Sequence, residues 1–150
     1  MKGFVGDIED LTVENAAFRR VVYTGKHLQL VLMALKAGAE IGAETHLDHD
    51  QFFRVEKGKG EVWIDGERTK IERDDAIVVP VGASHNIANT GAKSLKLSTL
   101  YAPPQHDDGA VRATKADATA TKEHFDGKAT ELLAPAKSTS RRGSNDKPAD

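Results

Sequence analysis

Gly38-Ala39-Glu40-Ile41-Gly42-Ala43-Glu44-Thr45-His46-Leu47-Asp48-His49-Asp50-Gln51 is the stretch whose reading decides this chain. With its continuation it takes the form Gly38-x5-Glu44-x-His46-x4-Gln51-x6-Gly58, and a later segment reads Asp74-x5-Pro80-x-Gly82-x2-His85-x3-Asn89. Residues two apart on a strand share a face, so Glu44 and His46 point the same way. Leu47 to Asp50 reads as a turn, and Gln51 opens the next strand with Phe53 and Val55 on its own face. Antiparallel pairing of these two strands is expected to bring Gln51 opposite Glu44 and His46. Pro80 and Gly82 read as a turn that delivers His85 at the start of a further strand. Two imidazoles, one carboxylate and one amide are thus drawn together from separate parts of the chain.

Working outward, residues 17–101 are a succession of short β-branched and apolar segments, separated by Gly, Asp and Asn at intervals of about 8–12 residues. The expected strands are Phe18–Tyr23, Leu28–Leu35, Ile41–His46, Gln51–Glu56, Gly60–Ile64, Thr69–Glu72, Ala76–Val79, His85–Asn89 and Leu95–Tyr101. Asp65-Gly66 is a two-residue hairpin signal, because glycine tolerates positive φ, and Lys57-Gly58-Lys59-Gly60 is a second glycine-assisted turn. Many short antiparallel strands call for two packed sheets or a closed barrel, since open edges invite aggregation. After Tyr101, Ala102-Pro103-Pro104 removes backbone donors and ends the pattern. The organisation read from this is an N-terminal arm over 1–16, a β-barrel over 17–101, an extension over 102–134 and a tail over 135–150. Thr114–Phe125 is expected to hold a short helix, with Leu132-Leu133 docking on the barrel. The tail has no large apolar residue to offset its ordering entropy and is read as disordered.

The two segments resemble the paired motifs of the cupin superfamily, G-x5-H-x-H-x3-4-E-x6-G and G-x5-P-x-G-x2-H-x3-N. The match runs from Gly38 to Asn89, and flanking strands extend it to roughly residues 18–101. What the resemblance implies is an all-β double-stranded β-helix of the jelly-roll type, with one divalent metal inside the barrel mouth. It places Glu44 where the first His of the motif stands, His46 at the second, Gln51 in place of the Glu, and His85 at the last His. Two of the four positions therefore depart from the pattern, and Asp74 replaces the opening glycine of the second motif. The departures compensate: the negative charge moves from the Gln51 position to Glu44.

Two His and one carboxylate form the minimal facial set for Fe(II) oxygenase chemistry, and the same donors suit Mn, Ni, Co or Zn. Gln51 serves as a weak fourth ligand through its carbonyl oxygen, or as a hydrogen-bond donor to a bound group. His49 offers an alternative ligand if the turn is arranged differently, with Asp48 and Asp50 beside it to orient an imidazole. Phe53 and Tyr101 read as core residues on faces that also reach a pocket, and His106 lies on a Pro-rich segment able to fold back over the mouth. His27 reads as an exposed turn residue, and Asp107-Asp108 as a solvated loop. No phosphate cradle is visible, and Arg54 by strand parity points away from Gln51.

Composition narrows the function classes. Twenty-one Lys+Arg against 23 Asp+Glu leave a formal charge of -2, which supplies no field for nucleic acid or an anionic membrane. Zero cysteines exclude disulfides and thiolate sites, so a metal must be held by His, carboxylate or amide oxygen. The longest apolar run, Leu30–Leu35, is far too short to span a bilayer, and no secretory h-region develops after Met1, so a cytoplasmic location is expected. The apolar segment near Phe18–Tyr23 has no evident cover, and a homodimer through an edge strand is expected. Three activities fit a small-molecule partner. The first is a metal-dependent dioxygenase. The second is a sugar or keto-acid isomerase or epimerase, a reading supported by similarity to cupins labelled mannose-6-phosphate isomerase-like. The third is a ligand-binding sensor without turnover.

Overall fold

The computed structural model describes residues 2–121 and 123–130. The expected tail and the Leu132-Leu133 pair lie outside them. In chain order the elements are α1 (Ile8–Glu14), β1 (Arg19–Thr24), β2 (Gln29–Leu35), β3 (Glu44–Thr45), β4 (Asp50–Lys57), β5 (Lys59–Ile64), β6 (Glu67–Glu72), β7 (Ala76–Val79), β8 (Ser84–Asn89), β9 (Leu95–Ala102), β10 (Val111–Arg112) and α2 (Lys115–Ala120). The strands form two antiparallel sheets, one ordered β10-β1-β2-β9-β4-β7 and the other β3-β8-β5-β6. Between them Val31, Phe53, Val55, Val62, Ile71, Ile87 and Leu97 pack into one core. Alternation builds this core. On β4, Gln51, Phe53 and Val55 turn inward while Phe52 and Arg54 stay partly exposed.

Register sets the level of the site within the sandwich. Gln29 on β2 faces Tyr101 on β9, and Tyr101 faces Gln51 on β4, so three buried polar side chains form one inward row. In the next row Val31 and Phe53, on either side of the polar Thr99, begin the apolar core beneath it. The polar row therefore caps the apolar core.

The two turns behave differently. Asp65 and Gly66 both have positive φ, 48° and 84°, and close the β5–β6 hairpin with the twist that antiparallel strands favour. Gly58 instead marks the corner where the chain leaves β4 for β5 in the other sheet. Its φ is 93°, and a Cβ there would lie 2.7 Å from the Ser94 carbonyl oxygen, so glycine is required on both counts.

Several sequence expectations are corrected. The strands bearing Glu44 and Gln51 do not pair: β3 pairs with β8, whereas β4 pairs with β7 and β9. Leu47 to Asp50 is a crossing between sheets, so Gln51 approaches from the opposite wall. The expected strand Ile41–His46 contracts to Glu44–Thr45, because Gly42 (φ 106°) breaks the ladder after an isolated bridge from Glu40 to Ala88. The expected helix over 114–125 is confined to Lys115–Ala120, started by a capping box between Thr114 and Asp117.

Two elements go beyond the sequence reading. The N-terminal arm holds α1, capped by Asp7 and packed on the outer face of β2, β4 and β9. The extension supplies β10, which pairs with β1. At the β1 edge β10 pairs with Arg19 and Arg20, and Phe18 and Val21 are buried. Among the described residues, no helix is long and apolar enough to cross a membrane.

Candidate metal centre

Glu44 and His85 are direct cross-strand partners on β3 and β8, which puts their side chains on one face. His46 follows just past the end of β3. Its position is fixed by the loop that carries His85: the Gly82 amide donates to the His46 carbonyl oxygen at 2.7 Å. One ligand atom from each of Glu44, His46 and His85 lies within 4.8 Å of the others. His46 Nε2 is 3.2 Å from Glu44 Oε2, an approach not aligned as a hydrogen bond.

The imidazoles present unused lone pairs. His85 Nδ1 donates to the Ala83 carbonyl oxygen at 3.1 Å, which leaves the unprotonated position at Nε2 in the neutral ring. His49 Nδ1 donates to Asp48 Oδ1 at 2.7 Å, with the same consequence. Buried Nε2 atoms of His46, His49 and His85 have no hydrogen-bond partner. Gln51 donates through Nε2 to Thr99 Oγ1 at 3.0 Å, and its buried Oε1 is likewise without a partner. Buried acceptors are rarely left unmatched, so the convergence of ligand atoms of Glu44, His46 and His85 within 4.8 Å fits a cation. The donor set therefore suits the divalent metal the fold implies.

Electrostatics agree with that fit. Burial pushes the Glu44 carboxyl upward, but contact with His46 and the charges of His46, His85 and Arg19 outweigh it and hold the carboxyl below its ordinary value. Burial lowers His49 against the opposing pull of Asp48, so its ring favours the neutral form. Burial drives the Tyr101 phenol up to about 12, leaving it protonated.

The remaining candidates divide. The His49 ring stacks 4.0 Å from that of His46 but stands outside the trio. Tyr101 lies 5.6 Å from His49, and His106 meets Tyr101 edge-on at 5.0 Å, so the Pro-rich segment does fold back toward the mouth. Phe53 lies one row deeper, in the core. Asp50 does not orient an imidazole: its Oδ1 accepts from the Val81 amide at 2.8 Å and ties the two motif loops together. Arg54 points outward to Asp74 at 3.1 Å, and His27 is exposed.

Sequence reasoning missed the support behind His106. Gln29 is fully buried, donating to the His106 carbonyl oxygen at 2.8 Å and accepting from the amides of Gln105 and His106 at 3.1 and 3.0 Å. His106 Nδ1 donates to Glu123 at 3.1 Å, and Arg112 also pairs with Glu123. It missed Arg19 too, although the parity of Arg19 with Val21 already marks it as inward-facing.

Two facing antiparallel sheets with a His/His/carboxylate cluster able to hold a metal define a jelly roll with a candidate metal site. The chain belongs to the cupin superfamily: the family model described as "Cupin domain" matches residues 31–101. The uncharacterized protein YrkC of Bacillus subtilis is 44% identical over 128 residues, covering 81% of this chain and 69% of that protein. The uncharacterized protein L612 of Acanthamoeba polyphaga mimivirus is 38% identical over 113 residues, covering 72% and 70%. Among solved structures, BH2720 from Bacillus halodurans is 46% identical with a TM-score of 0.79, covering 80% of this chain and 96% of that one.

Proposed function

We propose that this cupin holds one divalent metal ion through Glu44, His46 and His85 and acts as a metal-dependent oxidoreductase of the dioxygenase type on a small organic molecule. The observation that carries the reading is the convergence of these three ligand atoms within 4.8 Å, with buried imidazole Nε2 atoms lacking any other partner. Two imidazoles and one carboxylate leave coordination positions open, and a redox-active ion bound there supplies electron transfer between a chelating substrate and dioxygen.

The chain's own residues prepare that chemistry. The Ala83 carbonyl sets the orientation and tautomer of His85, and Asp48 does the same for His49. Thr99 turns the Gln51 amide so that its oxygen stays free to accept from a bound group. Tyr101 keeps its phenolic proton and offers a neutral donor beside His49 and Gln51. The apolar layer of Val31 and Phe53 beneath excludes water from below.

Metal analysis of protein purified without added metal, followed by oxygen uptake with catechols, β-diketones and keto acids, tests the reading. Uptake with one redox ion and one substrate class is the expected outcome. Bound metal without uptake under any redox ion would redirect the assignment to isomerase chemistry, if product forms, or to ligand sensing, if none does.

A further inference from the structure

Away from the metal centre, the arm before β1, the end of β2, the start of β9 and the extension meet around a hollow of about 310 Å3. Its walls are tied by the main chain: the Phe18 amide donates to the Ala113 carbonyl oxygen at 3.1 Å, and the Ala34 amide to that of Ala17 at 3.2 Å. Ala34 and Lys96 are direct partners on β2 and β9, with the parity opposite to that of the core residues Met33, Leu35, Leu95 and Leu97. Small side chains create the space. Alanine stands at positions 16, 34, 39 and 113 of the lining, beside the Phe18 ring.

The charged part of the lining has one sign. Lys36, Lys96 and Lys115 border the hollow, and among the described residues no carboxylate does. None of the three makes an ion pair among the described residues. Lys96 stands directly opposite Lys57 of β4, an unfavourable pairing of like charges, and its Nζ donates only to the Asn15 carbonyl oxygen. Burial first, and then the Lys57 charge, hold its ammonium below the ordinary value. The nearby Asp117 carboxylate is occupied by the Thr114 amide in the capping box of α2. The hydroxyls of the lining are matched as well: Ser94 Oγ donates to the Leu35 carbonyl oxygen at 3.2 Å, and Thr114 Oγ1 accepts from the Asp117 amide at 3.1 Å. What the hollow leaves unmatched is apolar surface and positive charge.

We propose that this hollow binds a small monocarboxylate with an apolar body, of the size of benzoate or octanoate, its carboxylate meeting the three lysines and its body covering Phe18 and the alanines. The volume lies at the small end of ligand pockets. A phosphate would leave the apolar floor uncovered, and among the described residues no guanidinium fork lines the hollow to receive it. The site is separate from the metal centre, because Ala34 lies roughly 17 Å along β2 from Gln29 of the inward polar row and has the opposite parity.

Calorimetric titration of the full chain, zinc-loaded and metal-free, with octanoate, benzoate, the matching alcohols octanol and benzyl alcohol, and inorganic phosphate tests the proposal. One equivalent of octanoate or benzoate is expected to bind both forms alike, at least about tenfold tighter than its alcohol, and more weakly as salt is raised. Combining Lys36→Gln, Lys96→Gln and Lys115→Gln should bring the carboxylate down to the affinity of the alcohol. Ala113→Phe, at an exposed position, should fill the hollow and abolish binding of carboxylate and alcohol while melting as the wild type does without ligand. If that variant does not fold, Ala39→Leu makes the same test. Equal affinity for carboxylate and alcohol, tighter binding of phosphate, or full carboxylate affinity in the triple variant or in the folded filled one would each overturn the proposal. So would no uptake of either carboxylate at millimolar concentration. Uptake by the zinc form alone would assign the carboxylate to the metal centre and overturn this site.

Discussion

Glu44 and His85, far apart in sequence, face each other across the β3–β8 ladder, with His46 fastened to the turn that precedes His85. Register thus holds Glu44 and His85 of the candidate trio, and a main-chain hydrogen bond holds His46, so each can be tested by substitution.

One equivalent of divalent metal is expected in the wild-type protein. Ala replacements of Glu44, His46 or His85 should each abolish stoichiometric uptake, because two remaining donors do not hold a labile ion. Gln51→Ala should only weaken it, since an amide oxygen is a poor ligand. Metal analysis after dialysis checks the set, and full uptake by His85→Ala would remove the assignment.

Acid should destabilise the metal-free protein through His106. Burial first, and then the Arg19 charge, push His106 down to about 3 despite its contact with Glu123. The unfolded imidazole, with its ordinary value of 6.5, binds protons that the folded one refuses between pH 6.5 and about 3. Stability conferred by this group is complete above pH 6.5 and falls as pH drops through that window, by about 1.4 kcal/mol per pH unit for one proton. His106→Gln should flatten the dependence of melting temperature on pH between 6.5 and 4. An unchanged slope would show that the burden lies elsewhere.

Tyr101 predicts the opposite limb. Its phenol is raised by burial to about 12 from 10.0, so the unfolded ring ionises first as pH rises. Stability should fall between pH 10 and 12, and Tyr101→Phe should lose that component. Chemical denaturation at pH 9 and 11 compares the two proteins.

Gln29→Ala should loosen the extension from the barrel. The amide satisfies Thr24 Oγ1 and three main-chain groups of Gln105 and His106, none of which finds another described partner for the same atom. A loss of about 3 kcal/mol is expected, with faster hydrogen exchange at Gln105 and His106. Exchange rates equal to wild type would mean that the Glu123 contacts alone hold the segment.

Gly58→Ala combines a left-handed backbone with a clash against the Ser94 carbonyl. A cost of about 2 kcal/mol in urea denaturation is expected. Since Gly58 lies at the corner between sheets, metal uptake by the folded variant should be unaltered.

Alternation and turn chemistry make the strands legible in the residues themselves. β4 is an example, because Gln51, Phe53 and Val55 share one parity and the fold turns all three inward. Asp65-Gly66 is equally readable, since only residues tolerant of positive φ close such a hairpin. The spacing of Glu44, His46 and His85 is legible as well, and the fold brings those three together. Pairing across sheets is not. Gln51 approaches from the sheet opposite Glu44, because a short crossing and a tight hairpin look alike in a sequence that shows only local turn propensity.

The sequence by itself determined a mainly β chain, most of its strand faces and the Asp65-Gly66 hairpin, because periodicity and turn chemistry are properties of neighbours, and motif spacing named Glu44, His46, Gln51 and His85 as candidate ligands. Tertiary structure alone decided that β10 pairs with β1, that Gln29 and Glu123 hold His106 at the mouth, and that Arg112 finds a counter-charge while Arg19 finds none among the described residues. Those outcomes depend on which distant groups meet in a low-dielectric interior, where an unmatched charge or lone pair acquires meaning only from what surrounds it.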